Sequence, residues 1–203
     1  MFDFQNAELN KNSYKETIKP GIHVVKITNV TNGVSAQKQA AFLEFTAESV
    51  DGSAELKQQY YLSTTVNPGK KKSAWDITKN SILSLVVATH GLDAQGLSVD
   101  QMTEAAKTKI PSAKSAEELA QKLAMLFVGK EFRLKVNGEE KISQKGTKYV
   151  ASNFANGVFC ESSKSAETKL VFSADKNIKK LPIDAAPQVQ EGFSSPSDDL
   201  PAF

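Results

Sequence analysis

Cations cluster at four places along this 203-residue chain, at three of them beside an aromatic ring. Lys57 and Tyr61 stand four apart in a segment that alternates as a strand, so both point to one face. Lys70, Lys71 and Lys72 lead into Trp75. Arg133 and Lys135 share the polar face of a second alternating segment, and Lys141, Lys145, Lys148 and Tyr149 crowd the turn that follows it. Ammonium groups neutralise phosphates and flat rings stack on bases, so this set suits a single nucleic-acid strand. Arg133 is the only arginine. Base-specific readers rely on the bidentate arginine fork, whereas lysines meet phosphates as point charges, which implies tolerance of sequence. Plainer readings stand beside this one. The triple lysine also fits a solvated loop, and Trp75 also fits the apolar stripe of its own helix. Phe42, in phase with Glu44 and Thr46, points outward with Tyr61 as a further ring.

Enzymatic constellations are missing from the sequence. Gly69 and Lys70 resemble the end of a phosphate loop, but the earlier glycine is absent and Lys71 stands where serine or threonine belongs. There is no nucleophile elbow and no metalloprotease helix. His23 sits in a strand-like run between apolar residues and reads as structural; His90, beside Gly91, reads as a helix C-terminal residue interacting with the dipole. Cys160 is the one cysteine, so no internal disulfide forms, and with two histidines the soft ligands are too few for a structural zinc site. We therefore expect no catalysis, no cofactor and no metal.

The elements that must position these residues follow from periodicity. Pro20 and Gly21 mark a turn, residues 22–30 are β-branched and read as a strand, and Thr31, Asn32 and Gly33 signal a turn. Residues 41–50 form a second strand with Leu43, Phe45 and Ala47 on one face. Asp51 and Gly52 make a hairpin turn into a third strand over 55–63. Ser73 caps a helix whose first turn carries Asp76 and whose end is Gly91, and Ser115 caps another running to Phe127. Residues 92–112 suggest a short helix within an insertion. Strand character returns at Phe132, Leu134 and Val136 and again over 147–154; patterning from about 160 is weak. Three strands, a helical segment and two strands give a mainly β fold with a helical insertion, the element order of a five-stranded OB-like β-barrel.

Charge divides the chain. Residues 182–203 hold four acids and no Lys or Arg, so residues 1–181 carry 25 cations against 19 acids. We expect an N-terminal arm over 1–19, a binding domain over 20–181, and a disordered acidic tail over 182–203. Asp198, Asp199, Leu200, Pro201 and Phe203 together form a small ligand: a ring for an apolar pocket, with acids for a basic rim. No apolar run reaches about 18 residues and no secretory signal opens the chain, so we expect a cytoplasmic protein with no membrane partner.

Residues 198–203 resemble the C-terminal tip of bacterial and phage single-stranded DNA-binding proteins. Residues 20–27, residues 129–136 and the Lys148-Tyr149 pair are similar to the opening strand and the later hairpin of phage proteins of that kind. The resemblance implies an OB-fold body that binds single-stranded DNA without sequence preference in replication, recombination or repair. It also implies a tip that recruits replication or recombination proteins, a host-cytoplasm location if the gene is a phage's, and room for a homo-oligomer. A single-strand annealing or recombination mediator, or a β-barrel interaction module that binds no DNA, are the alternatives.

Overall fold

The computed structural model describes residues 15–37, 39–143, 145–155 and 159–182. The first fourteen residues and the acidic segment over 183–203, with Asp198, Asp199, Leu200, Pro201 and Phe203, lie outside the described residues.

Among the described residues, eight strands and four α-helices follow one another in a mainly β order. Strand β1 is Glu16–Thr17, β2 Gly21–Val34, β3 Ala41–Ser49 and β4 Ala54–Tyr61. Helices α1 (Ala74–Thr89), α2 (Val99–Lys107) and α3 (Ala116–Phe127) come next, with a 3-10 turn at Leu92–Ala94. Then follow β5 (Glu131–Ile142), β6 (Lys148–Phe154), β7 (Cys160–Ser162), α4 (Ala174–Asn177) and β8 (Ile178–Lys179). The strands lie in one mixed sheet of order β1-β4-β3-β2-β5-β6, with β7 and β8 also paired to β5. The five long strands are the five expected. Among the described residues, however, no ladder joins β4 to β6, so backbone hydrogen bonds do not close the sheet into a barrel. The two edges meet instead through a side chain, the Phe154 N–H donating to Gln58 Oε1 at 3.1 Å.

Alternation decides which face is core. Leu43, Phe45 and Ala47 of β3, Leu56 and Tyr60 of β4, and Phe132, Leu134 and Val136 of β5 are buried. Phe127 of α3 meets the Phe45 ring at 5.9 Å, and the chain of rings continues through Tyr60 and Phe154 to Phe159. Helix α1 begins where its capping residues dictate. The Asp76 N–H donates to Ser73 Oγ, the Ser73 N–H donates to the Asp76 carboxylate, and Gly91 ends the helix with φ +66°. Helix α3 starts on Ser115 as expected.

Three boundaries depart from the sequence reading. Asn32 and Gly33 do not turn: β2 runs on to Val34, and the reversal comes between Ser35 and Ala40. Glycine suits this strand position because the Phe42 ring lies across it; a Cβ on Gly33 would stand 2.6 Å from Phe42 Cζ. The arm expected over 1–19 is ordered at its inner end. Glu16–Thr17 pairs in parallel with β4, and Ile18 is buried. The weakly patterned stretch after 160 adds β7 and β8, whose register with β5 is set by tertiary contact.

Candidate nucleic-acid interface

The outward face of β2, β3 and β4 is built from three cross-strand rows. Gly33 stands opposite Phe42 and Phe42 opposite Tyr61; Thr31, Glu44 and Gln59 form the next row; Asn29, Thr46 and Lys57 form the third. Directly opposed side chains on one face lie within reach of each other. Phe42 and Tyr61 meet edge to face, centroids 6.0 Å apart and planes at 65°. Both rings are half-buried. Gln59 links the rows: its Nε2 donates to Glu44 at 2.9 Å and its Oε1 accepts from the Tyr61 hydroxyl at 3.4 Å. Lys57 is exposed and lies 3.8 Å from Glu55.

A bulge makes this face. The β2–β3 register shifts between Ile27 and Asn29. Before it Val25 and Ile27 point inward; after it Val30 does. The extra residue therefore turns Asn29, Thr31 and Gly33 outward, onto the side of the two rings.

The expected site residues fall in separate parts of the fold. Lys57 and Tyr61 belong to the face just described. Lys70, Lys71 and Lys72 are exposed on the loop that leaves the Tyr61 end of β4, whose base is tied by the Trp75 N–H donating to Ser63 O at 2.9 Å. Lys145, Lys148 and Tyr149 are exposed at the β5–β6 hairpin, with Tyr149 opposite Lys141. Lys135 is half-buried on the outward side of β5, opposite Ile22.

Trp75 and Arg133 lie elsewhere. Trp75 is half-buried against the α2–α3 connection, with Lys79 Nζ 5.9 Å above its ring, and does not share the face of Tyr61. Arg133 is spent on structure. Its guanidinium donates to Glu161 Oε1 at 3.2 Å, to Ser162 O at 3.3 Å and to Ser165 O at 2.8 Å. Burial alone would raise the Glu161 carboxyl, but Thr168, the Lys169 N–H and Arg133 together hold it below the usual range. The guanidinium thus fixes β7 to β5 and is not presented to phosphate.

Among the described residues, no group of three or more His, Cys, Asp or Glu is placed to hold a metal ion. His23 Nε2 lies 2.9 Å from Lys19 O, a structural contact. His90 does cap α1, but not as a cation favoured by the dipole. Burial lowers its pKa from 6.5, and Lys109 and Lys130 push the same way against the Val86 carbonyl. Cys160 is buried, and its pKa is raised by that burial and by Asp93 and Glu161. No described helix is long and apolar enough to cross a membrane.

Asn29, Thr31 and Gly33 were missed as parts of the face because a period of two carried on from Val25 and Ile27 points them inward. No family model matches the chain, and no curated protein matches it either.

Proposed function

We propose that this protein binds single-stranded DNA, without sequence preference, across the outward face of β3 and β4. The observation that carries the reading is the Phe42–Tyr61 pair, two rings set edge to face on a rigid sheet and ringed by Asn29, Thr31, Gln59 and Lys57. Stacking on such rings accepts any base, and the polar neighbours reach sugar and phosphate. The exposed lysines at 70–72, on the loop that follows β4, add cations for the backbone.

The strand path supports the reading. Five long strands in the order β4-β3-β2-β5-β6, with the helices between β4 and β5, follow the connectivity of an OB fold, a partly open barrel. In that fold the second and third strands bind the nucleic acid, together with the loops between the first two strands and between the last two. Here those are β3, β4, the turn over 35–40, and the hairpin bearing Lys145, Lys148 and Tyr149. The role that follows is protection of single strands in replication, recombination or repair, in a phage-infected or bacterial cytoplasm. Residues 198–203 would then recruit replication or recombination proteins.

The test is titration of a fluorescent single-stranded oligonucleotide at several salt concentrations. Affinity falls with salt, with a log–log slope of about 0.7 per phosphate neutralised. Tyr61→Ala and Phe42→Ala each weaken binding by roughly 1–3 kcal/mol while the protein stays folded. Normal binding by both variants, or no binding even at low salt, would contradict the proposal and favour an interaction module that takes no DNA.

A further inference from the structure

Helix α1 and the connection from α2 to α3 enclose a trough that the sheet face does not use. It has a volume of about 530 Å³ and is walled by Trp75, Ile82, Leu83, Ile110, Pro111 and Leu119. Lys79 and Lys107 stand among its lining residues. A second hollow of about 240 Å³ shares the Trp75 wall and adds Lys114. The trough is therefore apolar along its floor and cationic at its rim, and its size falls within the range of about 300–1,000 Å³ seen for sites that take small ligands. Lys79 and Lys107 pair with Asp76 and Glu104, one turn away on their own helices, at 2.9 and 2.7 Å. Such exposed pairs are weak and yield readily to an incoming carboxylate.

We propose that this trough is the docking site for residues 198–203 of the same chain, Asp-Asp-Leu-Pro-Ala-Phe. The chemistry matches in both parts. Leu200, Pro201 and Phe203 supply apolar groups for the floor, and Asp198 and Asp199 supply the anions for the lysine rim. The tether is long on the scale of the domain. Fifteen residues separate Pro182, the last described, from Asp198, and that length extends to about 50 Å. A domain of this size is about 40 Å across. Because the ligand is tethered, its effective concentration is of millimolar order, so a weak intrinsic affinity fills the site. The docked segment covers the Trp75 ring and is withheld from other proteins until one competes for it. The inference does not depend on the nucleic-acid reading.

Trp75 is the only tryptophan, so its emission reports the trough directly. The experiment compares acrylamide quenching of Trp75 in the full chain and in a chain ending at residue 193, then adds a synthetic peptide of residues 194–203 to the truncated chain. Truncation shifts the emission to the red and speeds quenching, and the peptide reverses both. A peptide carrying Phe203→Ala has little effect, and the Lys79→Glu, Lys107→Glu double variant, read against its own baseline, loses the response. Identical quenching with and without residues 194–203, together with no response to the peptide, overturns the proposal. Protection that disappears on dilution of the full chain also overturns it, because the occupant is then the segment of a second copy. Neither readout involves DNA, so failure here and failure of DNA binding are told apart.

Discussion

At the scale of single residues, Arg133 shows how a cation can be read correctly by type and wrongly by role. Its side chain is 19% exposed and faces Glu161, 8% exposed, so each group is the other's compensation for lost water. Arg133→Ala leaves that carboxylate without its cation and costs on the order of 3 kcal/mol of stability, measured by urea denaturation. Oligonucleotide affinity, measured where the variant is folded, stays unchanged. Arg133→Lys recovers only part of the stability, because a single ammonium cannot reach the three acceptors that the planar fork serves. His90 gives a pH signature. The unfolded chain binds its proton near pH 6.5 and the folded one only at lower pH, so the unfolded state holds more protons between the two values. Stability therefore rises with pH through that window, and below pH 6.5 it falls until the folded imidazole also titrates. His90→Gln flattens this part of the denaturation profile; an unaltered profile would remove His90 as its source.

At the scale of elements, the face of β2, β3 and β4 depends on one glycine and one bulge. The Phe42 ring lies over Gly33, and a Cβ there would meet Cζ at 2.6 Å, closer than carbon atoms approach. Gly33→Ala therefore displaces the ring that pairs with Tyr61 while leaving the inward residues in place. The expected outcome is a loss of oligonucleotide affinity comparable to that of Phe42→Ala, with an unchanged far-UV spectrum. Normal affinity would mean that the ring position is irrelevant. This is also where the sequence was hardest to read. Clean alternation made the strand faces of β3, β4 and β5 legible, and Ser73, Asp76 and Ser115 made the helix starts legible. Asn32 and Gly33 carry the local signature of a turn, but the stacking of Phe42 on that glycine is a tertiary contact, and it wins. The bulge between Ile27 and Asn29 reverses the alternation within one strand, and no residue type announces it. Strands β7 and β8 are two or three residues long and exist only because β5 offers them an edge.

At the scale of the whole molecule, the sheet packs round a core of rings. The rings from Phe127 to Phe159 lie in the interior, and the Gln58–Phe154 hydrogen bond links β4 to β6, which no ladder joins among the described residues. This arrangement separates two aromatic places that composition alone had merged. Tyr61, with Phe42, looks out from the sheet, and Trp75 lies in a trough between helices. Under the two proposals, DNA takes the first and a segment of the chain itself takes the second. A single-stranded oligonucleotide carrying photoreactive 5-iodouracil, irradiated in complex with the full chain and mapped by peptide mass spectrometry, separates them in one measurement. The account predicts crosslinks at Phe42 and Tyr61 on β3 and β4. Crosslinks confined to Trp75, with Phe42 and Tyr61 untouched, would contradict it.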